Sequence, residues 1–383
     1  MIGFDETVLG AGPLCVGFSG GGDSTALLHL LARRFPDRRR LALIVDHGVQ
    51  TASAQVAAAA VMAALESGAA PVPLRLGCAG SGQARWRAGR YAALLAAVRH
   101  AGGDRLLLAH TADDQAETVL MRARRGSAWR GLAGMAALAP APLWPDGRGL
   151  WLARPLLGAR RKPLRDWLTR QGVGWHDDPA NADLRFDRPR LRAELAGAPA
   201  AADRLCALAA HFAAACAAED RVVAATLAEV TVTDAGEVIA PLAAWQALGP
   251  SARQRLLAVA VGAASGSPRL ASGVKLAGLA AALAGGAKAA TLAGAWVRVR
   301  RRALHFGRDP GGVFGHSGQA GMVMCAFATH GVWDGRFGIT PKAEPVNVLP
   351  GANAAPIVEG AAETSPLATE RLHRELWRAF TGP

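Results

Sequence analysis

The segment Ser-Gly-Gly-Gly-Asp-Ser at residues 19–24 is the feature that most constrains the fold of this chain. It follows an apolar run at residues 14–18 and leads into apolar residues at helical spacing from Ala26 to Leu31. That context predicts a strand, a tight turn and the N-terminus of a helix. Such a turn aims successive backbone N–H groups at one point, where the helix dipole also favours an anion. The sequence therefore predicts a phosphate-binding loop.

The residue types of this segment suit a nucleotide. Its glycines have no Cβ atom to keep an anion from the backbone, its serines add hydroxyl donors, and its aspartate supplies a hard oxygen suited to Mg²⁺. Because no Lys precedes the final Ser, it is not a Walker loop. It resembles instead the SGGxDS loop of the ATP pyrophosphatase superfamily, and a glycine-rich turn without a ligand is the alternative. The predicted nucleotide-binding residues are Ser19, Gly20, Gly21, Gly22, Asp23 and Ser24.

Length and charge narrow the class of protein. A chain of 383 residues is long enough for two or three domains with their own cores. A net charge of +13 indicates a polyanionic partner, most simply nucleic acid, although a genomic base composition that favours Arg codons would also produce it. Five cysteines without a CxxC pair predict a reducing compartment and no zinc or iron–sulfur site. With no signal peptide at the N-terminus, and with Gly, Ser, Gln and His interrupting the uncharged stretch at 310–333, we expect a soluble cytoplasmic protein.

Short apolar runs alternate with helical segments through the first half, which predicts an α/β fold with a parallel sheet. The predicted strands are residues 14–18, 41–45, 72–76 and 106–109. Three of them end at polar groups, Ser19, Asp46 and His110, and ligands of open α/β sheets bind outside the carboxyl ends of strands. We predict a nucleotide-binding catalytic domain at 1–195, a smaller, mostly helical substrate- or tRNA-binding domain at 196–308, and a small β-containing or partly disordered appendage at 309–383.

Two clusters of polar residues that follow these strands are candidates for a catalytic or nucleotide-binding site. Asp46, His47 and Gly48 follow the second strand, where an aspartate is often only a turn residue or a helix cap. After the fourth strand, helical spacing would place His110, Asp114 and Glu117 on one face. Helix capping by Thr111 is the alternative, and it would explain Asp113 or Asp114 but not His110 and Glu117 together. Reaction at the α-phosphate of ATP needs carboxylates for Mg²⁺ and a group that orients the nucleophile, both of which this cluster could supply.

Arginines dominate the segments that follow. Four lie within nine residues beside a Gly/Ser loop and Trp129, and more occur up to residue 192. They suit a phosphate backbone and an unstacked base, and the solvated face of a helix is the alternative. Binding of this kind would depend on salt and not on sequence. The predicted RNA-binding residues are Arg122, Arg124, Arg125, Arg130, Arg154, Arg188 and Arg192.

Taken in order, the motifs resemble the tRNA(Ile)-lysidine synthetase family of the PP-loop superfamily. They are SGGGDS, VDHG (45–48), AHTADDQAET (109–118), RRGS (124–127), GLAGM (131–135), RPLL (154–157) and DPAN (178–181). The resemblance is close over residues 14–195 and weaker to about 308. Two positions depart from it: DPAN lacks the family's Ser, and Arg188-Pro189 lacks its Asn. Both weaken any assignment of residues 178–192 to lysine or tRNA.

The resemblance implies a reaction between ATP, L-lysine and the wobble cytidine of a tRNA(Ile) with a CAU anticodon. The C2 oxygen of the cytidine would attack the α-phosphate, and the lysine ε-amine would then expel AMP. By motif position the loop holds pyrophosphate, Asp23 and Asp114 hold Mg²⁺, and His47 and Gly48 border the adenosine. The implied catalytic residues are Asp46, His110, Asp114 and Glu117. The oligomeric state stays open, a homodimer included.

Three other functions remain as alternatives. A tRNA thiolase on the same loop would need reactive or cluster-binding cysteines near the nucleotide. An amide-forming relative that acts on small metabolites is disfavoured by the positive charge. A non-catalytic tRNA-binding or nucleotide-sensing protein is disfavoured because all the candidate catalytic and metal-binding residues are present together. They are Asp23, Asp46, His110, Asp114 and Glu117.

Overall fold

A computed structural model describes most of the chain and divides it into two compact units, Met1–Cys216 and Ala217–Pro383. Helix α8 (Pro199–Leu227) runs through the boundary between them. The described residues are 3–46, 51–76, 82–177, 185–310, 325–327, 331–334, 336–342, 344, 346–350, 356–359 and 361–379.

The first unit is built on a six-stranded sheet with the strand order β3-β2-β1-β4-β6-β5. Strands β1 to β4 and β6 run parallel, and β5 pairs antiparallel with β6. The strands are β1 (Leu14–Gly17), β2 (Arg40–Asp46), β3 (Ala70–Arg75), β4 (Arg105–Leu107), β5 (Leu138–Pro140) and β6 (Trp151–Ala153). The helices are α1 (Gly22–Arg34), α2 (Thr51–Glu66), α3 (Gln83–His100), α4 (Ala112–Arg124), α5 (Trp129–Leu132), α6 (Arg161–Arg170) and α7 (Asp187–Ala196). The predicted α/β fold with a parallel sheet is confirmed.

Helices cover both faces of this sheet, which is why its central strand β1 is apolar at every position. Leu14 and Val16 of β1 pack in one hydrophobic core with Leu27 of α1. Cys15, between them, points to the opposite face and packs in a second core with Tyr91 of α3. The alternation of a strand thus fixes β1 between two layers. The loop that follows β1 is held at the carboxyl edge of the sheet.

The second unit contains a five-stranded antiparallel sheet with the order β7-β8-β11-β10-β9. Its strands are β7 (Thr231–Val232), β8 (Val238–Pro241), β9 (Ala289–Leu292), β10 (Ala295–Arg300) and β11 (Ala303–Arg308). Its helices are α9 (Leu242–Ala247), α10 (Pro250–Ser265), α11 (Gly273–Ala284) and α12 (Ala368–Glu375). Helices α8 to α11 still account for more of residues 196–308 than the strands do, so the predicted mostly helical content agrees with the structure, and the sheet is an addition to it. These short strands contain many alanines, whose local preference for helix is overridden by cross-strand pairing and by burial of Val297 and Phe306.

The described part of the predicted appendage forms two three-stranded sheets, β12-β15-β16 and β13-β14-β17, and the helix α12. The strands are β12 (Cys325–Phe327), β13 (Gly331–Trp333), β14 (Phe337–Pro341), β15 (Val346–Pro350), β16 (Pro356–Glu359) and β17 (Ala362–Pro366). Leu372 and Leu376 pack in the same core as Leu256 of α10. Residues after 308 therefore belong to the same compact unit as β7 to β11.

Helix α8 is the one helix in the described part of the chain with the length and apolar composition of a membrane span. The criterion is weak, because helices of soluble proteins also meet it. Its sequence also contains Asp203, Glu219 and Asp220, and the Asp220 carboxylate pairs with Arg255 at 2.9 Å.

Candidate active site

The glycine-rich loop between β1 and α1 has the geometry of an anion cradle. Gly20 has a φ of 75°, a conformation that residues with a Cβ rarely adopt. The Ser24 hydroxyl donates to the Gly21 carbonyl at 2.9 Å and so ties the loop to the first turn of α1. Gly21 is the N-cap of α1 and has no side chain to accept the first helical N–H groups, as Ser or Asp would at that position. These donors remain available to a ligand.

A cavity of about 930 Å³ lies at the carboxyl ends of β1, β2 and β4. The loop residues Ser19 and Asp23, Asp46 at the end of β2, and His110 and Asp114 after β4 all line it. The prediction that three strand ends share one crevice is therefore confirmed. His47 and Gly48 lie outside the described residues, as does the DPAN segment at 178–181.

Asp114 both caps a helix and faces this cavity. Thr111 is the N-cap of α4 and forms a capping box with Asp114: its backbone N–H donates to Asp114 Oδ2 at 2.9 Å and its hydroxyl donates to the same oxygen at 2.8 Å. The other oxygen, Oδ1, accepts a hydrogen bond from Arg161 Nη2 at 2.8 Å. The capping interpretation is therefore confirmed, and it is compatible with a role in the site because the cap uses only one of the two oxygens.

Arg161, at the first position of α6, joins the acids of the site. Its Nε donates to Asp23 Oδ2 at 2.9 Å, its Nη2 to Asp114, and its Nη1 to Glu117 Oε1 at 3.4 Å. Only 13% of its side chain is exposed. The sequence singled out Arg161 only as part of a basic run, since no local pattern shows that its partners lie 44 to 138 residues away. One guanidinium thus links the phosphate loop to the acids of α4.

Arg192, from α7, completes the charge cluster. Its Nε donates to Glu117 Oε1 at 2.9 Å and its Nη2 to Oε2 at 3.5 Å, so it grips the Glu117 carboxylate with two donors. Nη2 also lies 3.9 Å from Asp114 Oδ1. The cluster therefore combines three carboxylates with two guanidinium groups, and the Glu117 side chain is only 2% exposed.

Burial and neighbouring charges set the ionisation of these groups. Burial would raise the pKa of Asp114, but Arg161 and the hydrogen bonds from Thr111 outweigh it and hold that pKa below its usual value. At Asp23 burial outweighs Arg161 and raises the pKa. Burial, followed by the charge of Arg154, lowers the pKa of His110 to about 4. Asp114 is therefore a carboxylate and His110 a neutral imidazole near neutral pH.

His110 precedes α4 and does not share the predicted helix face with Asp114 and Glu117. It accepts a hydrogen bond at Nδ1 from Arg154 Nε at 3.2 Å. A neutral imidazole that accepts at Nδ1 carries its proton on Nε2, so His110 offers a donor.

The carboxylate oxygens beside the phosphate loop are potential ligands for Mg²⁺. Asp23 Oδ1 is buried without a hydrogen-bond partner, which leaves a hard oxygen beside the phosphate loop for a cation. Among the described residues, no three His, Cys, Asp or Glu side chains are placed so that they could hold one metal ion together. The residues therefore fit a Mg²⁺ that takes one or two carboxylates from the protein and its other ligands from phosphate and water, the usual arrangement for this ion.

The predicted RNA-binding arginines have different surroundings. Arg122 donates to the carbonyls of Gly131 at 2.8 Å and Gly134 at 3.0 Å, so it holds the Gly/Ser loop in place. The Arg130 guanidinium lies 5.4 Å from the centre of the Trp129 ring. Arg188 lines the cavity.

Arg124 at the end of α4 and Arg125 directly after it form exposed ion pairs with α7. Arg124 Nη2 lies 2.7 Å from Glu194 Oε1, and Arg125 Nη2 lies 2.9 Å from Asp187 Oδ2. All four side chains are at least half exposed, so these pairs are weak and a phosphate could replace the carboxylates.

Arg154 requires a correction. It is buried, and besides His110 it donates to the Ala136 carbonyl at 2.7 Å. Its guanidinium therefore donates hydrogen bonds to groups inside the protein, and we do not expect it to contact RNA. The sequence could not distinguish this arginine from its exposed neighbours, because its burial depends on residues of two other segments.

Two cavity-lining arginines of α3, Arg87 and Arg90, were not anticipated from the sequence. Their guanidinium carbons lie 5.2 and 6.0 Å from the centre of the Tyr91 ring. Within the described part of the chain neither forms an ion pair. Burial, rather than any partner, is the main cause that lowers the pKa of Arg90. The sequence signal for this wall was the helical spacing of Arg87, Tyr91 and Leu94. Together with Arg188, Arg87 and Arg90 make one wall of the cavity basic.

Comparisons with known proteins agree with this geometry. Residues 5–198 match the family described as the PP-loop domain. The chain is 49% identical over 183 residues to a tRNA(Ile)-lysidine synthase of Hyphomonas neptunium, which covers 47% of this chain and 50% of that protein. It is 40% identical over 260 residues to the tRNA(Ile)-lysidine synthase of Ruegeria pomeroyi, which covers 65% and 60%. The matches thus span about half to three fifths of these curated relatives.

One solved structure of a U34-tRNA thiolase from Methanococcus maripaludis is similar with a TM-score of 0.45 and 17% identity, covering 55% of this chain and 74% of that chain. A similarity at this level supports no inference about function.

Proposed function

This chain belongs to the PP-loop domain family, and from that premise we propose that it ligates lysine to the wobble cytidine of a tRNA(Ile) with a CAU anticodon, forming lysidine with release of AMP and pyrophosphate. One observation carries the proposal: Asp114 of α4 lines the same cavity as the phosphate loop, and Arg161 bonds both to it and to Asp23 of that loop. An α-phosphate and an incoming amine would meet there.

The first step adenylates the cytidine. Its C2 oxygen attacks the α-phosphorus of ATP, and the bond to the β-phosphate oxygen breaks with release of pyrophosphate. The N–H groups and hydroxyls of residues 19–24 would hold the pyrophosphate, and Nε2–H of His110 would donate to a phosphate oxygen. Asp23, with Asp114 as its second carboxylate, is our candidate ligand for Mg²⁺, which when bound would neutralise phosphate charge. Asp46 would border the adenosine.

The second step joins lysine to the base. The ε-amine attacks C2, the bond from C2 to the phosphorylated oxygen breaks, and AMP leaves. The amine must lose its proton, because the ammonium form has no free electron pair. Asp114, ionised at neutral pH, would hold the ammonium, and Glu117 is the second acid within reach of the same guanidinium groups. Arg161 and Arg192 occupy these carboxylates, so binding of lysine would have to displace part of these ion pairs.

The basic wall of the cavity would receive the tRNA. Arg87, Arg90 and Arg188 offer guanidinium groups without acidic partners among the described residues, which suits the phosphates that flank an unstacked base. Arg124 and Arg125 would add contacts outside the cavity. We place the reaction in the cytoplasm, where ATP, lysine and tRNA occur together.

The thiolase alternative is disfavoured by the cysteines of the first unit. Cys15 is buried within β1, and burial raises its pKa to about 11, so it is a poor nucleophile. Burial also raises the pKa of Cys206, whose thiol donates to the Ala112 carbonyl at 3.3 Å. Cys78 lies outside the described residues. A sulfur carrier would instead need an accessible thiol with a lowered pKa.

Transfer of labelled lysine tests the proposal. The chain is incubated with ATP, Mg²⁺, radiolabelled lysine and a CAU-anticodon tRNA, and label fixed to RNA is the expected result. Asp114→Asn should reduce transfer by at least about 100-fold, while tRNA binding is retained. Asp113→Asn is the matched control, because Asp113 is the adjacent acid, accepts the backbone N–H of Arg161 at 2.7 Å and does not line the cavity.

Two results would contradict the proposal. One is the absence of label on CAU tRNA together with label on a tRNA of another anticodon. The other is ATP–pyrophosphate exchange that proceeds equally well without tRNA, which would indicate a small-molecule ligase.

A further inference from the structure

The five-stranded sheet of the second unit has one open face with a distinct composition. Alternation along β10 places Trp296, Arg298 and Arg300 on this face, and the register places Gly307, His305 and Ala303 of β11 opposite them. The intervening residues of β10 and β11 point the other way, where Val297 and Phe306 are buried against the helices of this unit. On β10 and β11 the open face therefore carries an aromatic ring, two arginines and a histidine.

Trp296 and Arg298 form a flat stack on this face. A Cβ atom at Gly307 would lie only 2.1 Å from the Trp296 ring, so the indole lies directly on the backbone of β11. The guanidinium of Arg298 lies over the same ring, 4.6 Å from its centre. Gly307 thus creates the room for an aromatic platform, and a planar cation covers it.

The charge of the sheet is one-sided. None of the strands β7 to β11 contains an Asp or Glu. Among the described residues, Arg298, Arg300 and His305 form no ion pair and no side-chain hydrogen bond. Positive charge that is not neutralised within the protein, next to an aromatic ring, is suited to a polyanion that also presents flat groups.

The turn between β10 and β11 adds two more arginines. Arg300 pairs with Ala303, so Arg301 and Arg302 form a two-residue hairpin loop. Both have positive φ, 46° and 64°, as a type I′ turn requires. Asn-Gly is the favoured sequence for such a turn, and arginine is strained there. Local stability therefore does not account for the choice of arginine.

We propose that this open face, formed by Trp296, Arg298, Arg300, Arg301, Arg302 and His305, binds a single-stranded segment of RNA. An unpaired base would stack on the outer side of the platform, on the Arg298 guanidinium that the Trp296 ring supports, and the arginines of β10 and the turn would bind the flanking phosphates. Base-paired RNA would present only its backbone to this flat surface. We therefore expect the surface to bind unpaired nucleotides in preference to a duplex. The inference extends the proposed function by a second RNA contact.

Direct binding of RNA by the full chain, without ATP or lysine, tests this inference. The probes are an oligouridylate and a CAU-anticodon tRNA, titrated across a salt series. Trp296→Leu should weaken oligouridylate binding about 10-fold, because it removes the stacking ring, and Trp296→Phe should restore most of the affinity. Replacing Arg298 and Arg300 by Gln should lower the slope of log K against log salt by about 1.4. Arg221→Gln, an exposed arginine elsewhere in this unit, is the matched control and should change neither quantity.

The double variant Arg301→Asn, Arg302→Gly separates binding from folding. It installs the sequence that a type I′ turn prefers, so the variant should be at least as stable to heat as the parent chain, yet bind RNA more weakly. Unchanged RNA affinity in this variant and in Trp296→Leu would overturn the inference. Equal competition by duplex RNA or polyglutamate would also overturn it, since stacking would then play no part. Because no lysine transfer is measured, a failure of the proposed function leaves this test unaffected.

Discussion

Replacing Arg161 by Gln should destabilise the first unit more than any surface charge substitution would. The guanidinium bonds to Asp23 and Asp114 at 2.9 and 2.8 Å and approaches Glu117 at 3.4 Å. Removal of one partner from a buried ion pair costs about 3–5 kcal/mol, because it leaves a buried charge uncompensated. Arg192 still grips Glu117 and Thr111 still donates to Asp114, so we expect the lower end, about 3 kcal/mol in the free energy of unfolding.

The loss of unfolding free energy in the Arg161→Gln variant, called the deficit below, should depend on pH and on divalent cations. Without Arg161 the pKa values of Asp23 and Asp114 should rise in the folded state. A carboxylate whose folded pKa is raised stabilises the fold below its unfolded pKa, and this contribution is lost as the pH rises through the folded value. The deficit of the Arg161→Gln variant should therefore shrink in acid. Mg²⁺ at about 100 times its dissociation constant would restore about 2.7 kcal/mol to the variant if it replaces the guanidinium between the carboxylates.

Hydrogen exchange of amides in β1 and α4, measured by mass spectrometry, reports on this unit separately from residues 217–383. Lys162→Gln is the matched control, because Lys162 follows on the same helix and its exposed pair with Asp166 should contribute less than about 1 kcal/mol. The reasoning is refuted if both variants lose the same stability, or if the deficit of Arg161→Gln does not change between acid and neutral pH. A stabilisation by Mg²⁺ that is equal in the wild type and the variant would refute the cation argument.

Three further predictions concern the site and its rim. Arg154→Gln should raise the pKa of His110 from about 4, since burial and then Arg154 lower it; an NMR titration of the ring measures this, and an unchanged pKa would contradict the assignment. Because the unfolded imidazole titrates near 6.5, His110 should make the wild type lose stability as the pH falls from 6.5 to about 4. Replacing Arg124 and Arg125 by Gln should weaken tRNA binding and reduce its salt slope by about 2, with ATP affinity unchanged; an unaltered slope would exclude these contacts.

The elements that the sequence predicted well depend on local signals. An apolar run before three glycines predicts β1, its loop and the start of α1, because strand, turn and helix preferences all agree there. The ends of β2 and β4 follow from similar runs and bring Asp46 and His110 to one edge. Not every strand of the second unit gave such a signal. Its strand β9, Ala-Ala-Thr-Leu, reads locally as helix, and only pairing with β10 makes it a strand.

The ion pairs of the site were beyond the sequence for a different reason. The partners of Arg161 are brought together by the fold from distant segments, and a basic run of Arg160, Arg161 and Lys162 does not distinguish the arginine that turns inward from the lysine that remains exposed. The same run shows how the fold decides. Arg161 is the first residue of α6, and its backbone N–H is held by Asp113 at 2.7 Å, beside the N-terminus of α4. That hydrogen bond joins the starts of the two helices, and the Arg161 side chain is turned inward by its bonds to Asp23 and Asp114.

The capping box of α4 similarly links a local signal to the site. Thr111 binds Oδ2 of Asp114 with two donors and so leaves Oδ1 as the oxygen that reaches Arg161. A carboxylate fixed by its own helix start does not have to be ordered when a ligand arrives, which lowers the entropy lost on binding. The sequence presented capping and chemistry as alternatives because both require an acid at the third helical position. In this fold the cap holds one oxygen of the acid, and the other oxygen reaches Arg161 at the cavity.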